Sequence, residues 1–123
     1  FTSSEGFRIL VGRNSRQNDL LTMRIAGPED YWFHAKNLPG SHVVLFTQGK
    51  TPGHASIQEA AILAATFSSG NTADKVEVDY IQKKHVKKPG GSKPGFVIYT
   101  HQRTLYVTPE PDKLKSIAQA GAK

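Results

Sequence analysis

The sequence contains no cysteine, which excludes a disulfide framework and any metal site built on cysteine sulfur. No apolar run approaches the roughly 18 residues that a membrane-spanning helix requires. No signal-peptide pattern follows Phe1. Because a chain without cysteine suits the reducing cytosol, we expect a cytoplasmic protein. Since the chain opens on Phe1 rather than Met, we interpret it as a domain excised from a longer protein.

Acidic residues are absent from one long stretch of the chain. Residues 83–108 hold six of the 16 Lys and Arg and none of the 10 Asp and Glu, so this stretch carries the whole net charge of +6. A local positive excess on an otherwise neutral domain is typical of a surface that binds a polyanion. The alternative is a solvated lysine-rich loop that serves solubility, and we favour nucleic acid. The predicted phosphate contacts are Lys83, Lys84, Lys87, Lys88, Lys93 and Arg103.

The length of 123 residues and the hydrophobic content of 37% predict one domain, residues 1–123, with a single modest core. Strand and helix patterns interleave irregularly. This predicts an α+β fold with a mostly antiparallel or mixed sheet, packed by a central capped helix and flanking helices. In the central helix, Ser56 and Glu59 form a predicted capping box, and Ile57 and Phe67 lie on a predicted buried face. We therefore expect Phe67→Ala to cost about 3–5 kcal/mol.

Short β-rich runs predict strands on both sides of the central helix. The predicted strands cover residues 7–11, 31–34, 43–46, 76–81, 96–100 and 104–108. The last two are expected to pair as a hairpin. In the fourth, alternation places Glu77 and Asp79 on a water-facing side. Further helices are predicted over residues 14–26 and after Pro109, and the Gly- and Pro-rich residues 89–95 are expected to be an irregular, mobile loop.

Aromatic residues are few, but three of them are consecutive and a histidine follows them, in Tyr31-Trp32-Phe33-His34. In a strand, Trp32 and His34 share one face with Asp30, and Tyr31 and Phe33 share the other. An aromatic face of this kind can stack on nucleobases, which contributes about 1–3 kcal/mol per base. All three aromatic residues could instead lie in the core. We favour the core for Phe33 and leave both alternatives open for Trp32 and His34.

Forked polar side chains gather at the predicted start of the first helix, where Arg13, Asn14, Gln17 and Asn18 follow one another closely. Guanidinium and carboxamide groups grip phosphates and read base edges, and a helix N-terminus adds a preference for anions. Helix capping by Asn14 explains part of this cluster but not the whole of it. The cluster is therefore a second candidate for contact with nucleic acid.

Histidine and aspartate residues offer only weak evidence for metal binding or catalysis. The spacings of Asp30, His34, His42 and His54 match no standard ligand pattern, so we predict no metal and no cofactor. The chain lacks a GxSxG nucleophile motif, and Ser41-His42 has no evident third partner, so we do not expect an enzyme. An RNA- or nucleotide-processing enzyme would need Asp30, His34 and His42 in one pocket, which the sequence leaves open.

A more specific signal comes from several segments taken in order. They are Gly12-Arg13-Asn14, Gln17-Asn18-Asp19, Asp30-Tyr31-Trp32-Phe33-His34-Ala35, Pro39-Gly40-Ser41-His42-Val43-Val44, Glu59-Ala60-Ala61, Lys93-Pro94-Gly95-Phe96-Val97 and Thr104-Leu105-Tyr106-Val107-Thr108-Pro109. Together they resemble the NFACT-R domain of the NFACT (fibronectin-binding protein A) family. The WFHA and PGSHVV segments are the most specific, and the resemblance extends from about Gly6 to Pro109.

The resemblance implies an RNA-binding module from the C-terminal part of a bacterial RqcH-like ribosome quality control factor. Full-length members of this family bind large ribosomal subunits that are obstructed by peptidyl-tRNA. They recruit tRNA so that the stalled chain gains a C-terminal tail, which is alanine-rich in bacteria. The expected partners are therefore large-subunit rRNA, tRNA and the upstream domains of the same protein. Some relatives were described as fibronectin-binding adhesins, so a cell-surface interaction domain is the alternative.

The charge map and the resemblance together predict shaped contacts to RNA, in addition to the phosphate contacts. The predicted residues are Arg13, Asn14, Gln17, Asn18, Asp30, Trp32, His34, Ser41 and His42. Within this set, a carboxylate of Asp30 beside His34 should favour the protonated imidazole and orient the ring. We predict that Trp32 and His34 help to bind RNA rather than only fill the core, because an exposed tryptophan usually marks a binding surface.

Overall fold

The computed structural model describes residues 1–68 and 75–109. Its strands are β1 (Arg8–Val11), β2 (Tyr31–Ala35), β3 (Val43–Phe46), β4 (Val76–Gln82), β5 (Val86–Lys87), β6 (Ile98–Tyr99) and β7 (Arg103–Val107). Helix α1 (Ser15–Leu20) continues as a π-helical segment (Leu21–Ile25), α2 spans His54–Thr66, and a 3₁₀ turn spans Lys83–His85. The predicted helix after Pro109 lies outside the described residues, and so does Ser69-Gly70-Asn71, a sequence that predicts the end of the central helix.

Five of these strands form one antiparallel sheet in the order β1-β3-β2-β4-β7, and β5 pairs with β6 in a separate two-stranded ribbon. The predicted α+β class with a mostly antiparallel sheet is confirmed. The predicted hairpin between residues 96–100 and 104–108 is wrong, because β6 pairs with β5 and β7 pairs with β4. The turn between β6 and β7 contains His101 with φ of 63°, and Thr100 N–H donates to the His85 carbonyl on the ribbon side.

Both faces of the five-stranded sheet are covered. Helix α2 packs on one face, where its alanines approach Phe33, Val43 and Val78. The π-helical segment and the ribbon cover the other face, where Trp32 and Val44 lie in a second apolar cluster. The strand alternation predicted for β2 is therefore confirmed, with Trp32 and Phe33 on opposite faces. Of the two alternatives left open for Trp32, the structure shows the core: its side chain is 1% exposed, because the second face also has a cover.

Helix α2 begins earlier than its sequence pattern predicts. Its N-cap is Gly53, which places Ser56 and Glu59 inside the helix and makes the predicted capping box wrong. The N–H groups of Gly53 and Ser56, which have no partner within the helix, instead donate to a carboxylate oxygen of Glu5, at 3.0 and 3.3 Å. Glu59 accepts a hydrogen bond from Ser4 N–H at 2.8 Å. A carboxylate from the N-terminal segment therefore satisfies the start of the helix, where negative charge is stabilised.

The predicted buried face of α2 is only partly confirmed. Ile57 is buried, whereas Phe67 follows the last helical residue and is half-buried. The Phe67 ring lies 6.3 Å from the Phe1 ring and 4.3 Å beneath the guanidinium carbon of Arg13. Because Phe67 buries less of its surface on folding than a core residue does, Phe67→Ala should lower the free energy of unfolding by less than the roughly 3–5 kcal/mol of a full core truncation.

Candidate nucleic-acid interface

The polar cluster at the start of α1 forms a reciprocal cap. Asn14 has an extended backbone, and its Oδ1 accepts from Gln17 N–H at 2.8 Å. Gln17 Oε1 accepts from the N–H of Arg13, the residue before the N-cap, at 2.9 Å, so the two side chains bond reciprocally across the helix start. All three side chains are exposed, and the Arg13 guanidinium lies on the Phe67 ring. These three predicted RNA contacts are therefore exposed to solvent at the start of α1, although Asn14 and Gln17 also stabilise that end of the helix.

Two other predicted contacts are structural. Asn18 is buried: its Oδ1 accepts from His42 N–H at 3.0 Å, and its Nδ2 donates to the Gly40 carbonyl at 3.4 Å. Gly12 packs so closely here that a Cβ at that position would lie 2.1 Å from Asn18 Oδ1. Ser41 is also buried, and its N–H donates to the Phe67 carbonyl. Neither Asn18 nor Ser41 is placed to touch a large ligand directly.

Asp30 does not lie beside His34, so the predicted carboxylate–imidazole pair is wrong. Its Oδ2 accepts from Gly27 N–H at 2.8 Å, and its Oδ1 accepts from Thr47 N–H at 2.9 Å and from Thr47 Oγ1 at 3.3 Å. Asp30 precedes the first residue of β2, so the alternation of the strand does not extend to it. The carboxylate instead closes the turn before β2 and ties it to the end of β3.

The acid nearest to His34 in the sheet is Asp79, which faces it across β2 and β4. Asp79 is buried and accepts hydrogen bonds from Tyr99 Oη and Thr104 Oγ1, both at 2.7 Å. The predicted water-facing position of Asp79 is wrong, because the ribbon covers this side of β4. Burial and the Asp79 carboxylate raise the pKa of Tyr99, so its hydroxyl stays protonated and donates.

His42 is a buried link between α1 and the loop before β6. Its Nδ1 accepts from Thr22 Oγ1 at 2.7 Å, and its Nε2 donates to the Gly95 carbonyl at 3.0 Å. Burial is the main cause that lowers the pKa of His42 from 6.5 to about 4, and the neighbouring His34 acts in the same direction. The N–H of Gly95 donates to Asp19 Oδ1 at 3.0 Å. A neutral His42 and an ionised Asp19 thus hold the loop in place.

A cleft of about 320 Å³ opens between the turn after β2 and the loop that leads into β6. We call it the aromatic cleft, and it is lined by Trp32, His34, Asn37, Leu38, Pro39, His42, Gly95, Phe96, Val97 and Tyr99. The Trp32 and His34 rings are nearly parallel, with centroids 5.9 Å apart, and the His42 ring meets Trp32 edge-on at 5.4 Å. Among residues 1–68 and 75–109, Trp32 Nε1 finds no hydrogen-bond partner.

His34 is half-buried at this cleft and is poised as a neutral ring. Burial lowers its pKa, and the carbonyls of Ala35 and Gly40 and the Asp79 carboxylate offset that effect only in part. The predicted preference for the protonated imidazole is therefore wrong. A neutral His34 keeps one unprotonated ring nitrogen that can accept a hydrogen bond from a ligand.

Two of the six predicted phosphate contacts have acidic partners. Lys84 Nζ lies 3.3 Å from Glu29 Oε1, and both side chains are exposed. Lys88 Nζ lies 3.0 Å from Asp19 Oδ1 and also donates to the carbonyls of Lys93 and Phe96, at 2.7 and 3.3 Å. Lys88 therefore fixes the loop of residues 89–95.

The other four predicted phosphate contacts have no acid within salt-bridge distance in the part of the chain that the structure describes. Lys87, Lys93 and Arg103 are exposed and Lys83 is partly exposed. These four, Lys83, Lys87, Lys93 and Arg103, are named the basic segment below. Their charges can be neutralised by phosphates without breaking an ion pair.

No three His, Asp or Glu side chains in the described ranges are grouped so that they could hold a metal ion. Asp30 is engaged by Thr47, and His54 is the first residue of α2, so these two do not join His34 and His42 at the cleft. In the same ranges, no helix has the length and apolarity needed to cross a membrane.

The sequence did not reveal Asn37, Phe96 or Tyr99 as site residues. These three line the aromatic cleft from segments that are far apart in the chain. Phe96 and Tyr99 lay inside the predicted strand over residues 96–100, and Asn37 lay between two predicted strands. Phe96 belongs to a segment that carries the family resemblance, but nothing in that segment assigns it a contact. The sequence feature that pointed to this site was the Pro39-Gly40 pair, which predicts a turn directly after the aromatic strand.

Residues 1–100 match the family described as the NFACT protein RNA binding domain. The chain belongs to the NFACT-R family. It is 49% identical over 112 residues to the Rqc2 homolog RqcH of Bacillus subtilis, a match that covers 91% of the chain and 19% of that relative. It is 50% identical over 109 residues to the Rqc2 homolog RqcH of Streptococcus suis, covering 89% of the chain and 20% of the relative.

A solved structure has the same fold. It is the C-terminal part of the fibronectin/fibrinogen-binding protein from Streptococcus suis, with a TM-score of 0.88 and 48% sequence identity. The match covers 94% of this chain and 47% of that chain. The chain spans 19–20% of the length of the two curated relatives named above. The predicted resemblance to NFACT-R is confirmed.

Proposed function

We propose that this NFACT-R chain is the RNA-binding module of a ribosome quality control factor and that it binds without catalysing a reaction. The observation that carries the proposal is the match of residues 1–100 to an RNA binding domain family. The basic segment supports it, because its four cations are available for phosphates. Relatives 47–50% identical that are named Rqc2 homolog RqcH support the link to ribosome quality control.

The finer proposal concerns the whole protein. It binds obstructed large ribosomal subunits that carry peptidyl-tRNA, and it supports the addition of C-terminal alanine tails to stalled chains in the cytoplasm. The domain organisation that goes with this proposal is one NFACT-R unit over residues 1–123, joined to upstream domains of the same protein. Large-subunit rRNA and tRNA are its proposed partners.

The proposed contacts divide by exposure. The basic segment makes the main phosphate contacts, and Lys84 and Lys88 contribute less because each already has a carboxylate partner. The exposed Arg13, Asn14 and Gln17 make polar contacts at the start of α1. The buried Asn18, Ser41 and His42 and the partly buried Asp30 support the surface through the hydrogen bonds described above.

A salt series tests the phosphate contacts. Four neutralised phosphates predict a log–log slope of RNA affinity against salt of about −3 to −4, by counterion release. Replacing the basic segment (Lys83, Lys87, Lys93 and Arg103) by Ala should flatten most of that slope and weaken binding to tRNA and rRNA fragments alike. Fluorescence anisotropy with labelled RNA measures both quantities.

The matched control for this experiment removes the same charge elsewhere. Arg8, Arg24, Lys50 and Lys75 are exposed and lie outside the basic segment, so their fourfold Ala variant should keep most of the slope. Equal flattening in both variants would show that net charge alone, and not this surface, governs binding. An unchanged slope in the basic-segment variant would remove that segment from the interface.

A cell-surface role is the second candidate, because the solved relative from Streptococcus suis is named a fibronectin/fibrinogen-binding protein. Immobilised fibronectin, tested beside tRNA and ribosomal subunits at the same salt concentration, separates the two functions. Binding to fibronectin without binding to any RNA would replace the proposed function.

A further inference from the structure

The aromatic cleft has the size and shape of a receptor for one flat ring. Its volume of about 320 Å³ lies at the lower end of the roughly 300–1,000 Å³ that ligand sites occupy. Its floor is the half-buried His34 ring, which is backed by the buried rings of Trp32 and His42. Its two walls are the Asn37–Pro39 turn and the loop from Gly95 to Tyr99. A site of this size suits one planar group and not a peptide or a double helix.

Phe96 provides an accessible aromatic surface at the cleft. Its side chain lines the cleft and is nevertheless 55% exposed, which is unusual for a large apolar ring that could have packed inward. Aromatic side chains stack on nucleobases with little dependence on base identity. An exposed ring next to an aromatic floor therefore favours a ligand that stacks.

Asn37 provides a polar group at the opposite wall. Its backbone is left-handed, with φ of 58°, a conformation that asparagine tolerates better than most residues. Its exposed carboxamide can donate and accept hydrogen bonds at the edge of a base. The two walls thus offer different interactions, a stacking ring on one side and a hydrogen-bonding amide on the other.

The wall that carries Phe96 is held rigidly before any ligand arrives. Gly95 is fixed by His42 at its carbonyl and by Asp19 at its N–H, and Lys88 Nζ binds the Phe96 carbonyl. A preorganised wall avoids the entropy cost of ordering a loop on binding. Exposed Lys93 lies two residues before Gly95, where it can meet the phosphate of a nucleotide whose base enters the cleft.

We propose that the aromatic cleft takes up one unpaired nucleobase of the bound RNA, stacked against the exposed Phe96 ring above the half-buried His34, with Asn37 at its edge. This inference rests on the proposed function, because it assigns a base contact to an RNA-binding domain. It makes the domain prefer single-stranded or unstacked positions, whereas the basic segment contacts phosphates of any RNA.

The test compares three RNAs of equal length: a single strand, the corresponding duplex, and an abasic strand that keeps every phosphate. Phe96→Ala should weaken binding of the single strand about tenfold, within the range expected for one stacked base. It should leave binding of the duplex and the abasic strand unchanged. Asn37→Gly removes the amide at a backbone position that suits glycine, and it should weaken single-strand binding by about threefold, as the loss of one hydrogen bond.

Ile98→Ala is the matched control, since Ile98 is 52% exposed on the same stretch of chain but does not line the cleft. It should bind all three RNAs as the unchanged chain does. The emission of Trp32, the sole tryptophan, provides a second readout. It should change on adding the single strand and stay constant with the abasic strand.

The outcomes separate this inference from the proposed function. If the unchanged chain binds the single strand and the abasic strand equally well with the predicted salt slope, RNA binding stands and the base receptor is overturned. Equal single-strand affinities for Phe96→Ala and Ile98→Ala overturn it in the same way. If the unchanged chain binds none of the three RNAs, the proposed function fails and this inference fails with it.

Discussion

Trp32→Ala is expected to lower the free energy of unfolding by about 3–5 kcal/mol, the cost of truncating a large core aromatic residue. The indole is 1% exposed and packs in the second apolar cluster with Leu21, Val44 and Val86. Its ring also lies 4.7 Å from the Tyr99 ring, centroid to centroid. Alanine would leave a cavity between the sheet and its second cover, and the surrounding backbone elements can close it only partly.

Urea unfolding followed by far-UV circular dichroism measures this loss. Fluorescence is unsuitable, because the variant would contain no tryptophan. Trp32→Phe is the control: it keeps an apolar ring and removes the buried N–H that has no partner in the described ranges, so it should lose less than half as much stability. An alanine variant that unfolds at the same urea concentration as the unchanged chain would show that this cluster is not a core.

Acidification from pH 6.5 to pH 4 is expected to remove about 3 kcal/mol of stability through His42 alone. The folded pKa of His42 is lowered from 6.5 to about 4, mainly by burial. Between these two pH values His42 is protonated in the unfolded chain and remains neutral in the folded chain. Stability is therefore fully present above pH 6.5 and falls as the pH drops towards 4. His34 shifts in the same direction and adds to the loss.

The readout is the change of unfolding free energy with pH, since a substitution at His42 also alters packing. His42→Gln should flatten this dependence between pH 6.5 and 4, and His54→Gln, at an exposed position, should leave it as steep as before. Direct titration of the ring by NMR should place His42 near pH 4. A midpoint near 6.5 would mean that the ring is hydrated and that its bonds to Thr22 and Gly95 are not maintained.

Features that depend on neighbouring residues were predictable from the sequence. Asn14 caps the first helix as predicted, because its side chain bonds the N–H of Gln17 only three residues away and the capping geometry is local. The alternation of β2 was also correct. In contrast, the start of α2 was wrong, since Glu5 supplies the cap from another part of the chain and nothing near Ser56 signals this.

In the candidate site, too, the features that depend on neighbouring residues were predictable and those that depend on the tertiary fold were not. The cluster of positive charge was visible in the sequence, but the partners that Glu29 and Asp19 offer to two of its lysines were not. The alternation of residues in β4 predicted that Asp79 faces water. Such an alternation depends on the strand alone, so it cannot show that a separate ribbon covers that face. The aromatic cleft was hidden for a similar reason: Asn37 and Phe96 meet only through the tertiary fold.

The ion pair between Lys88 and Asp19 has a consequence for any alanine scan of this surface. Removing Lys88 deletes one positive charge and also leaves the Asp19 carboxylate without its cation. The freed carboxylate would repel approaching phosphates, and the carbonyls of Lys93 and Phe96 would lose their shared donor. If Lys88→Ala binds RNA weakly, part of the loss would therefore come from the displaced loop and part from repulsion between Asp19 and the phosphates. Its affinity loss would overstate the attraction that the lysine itself exerts on RNA.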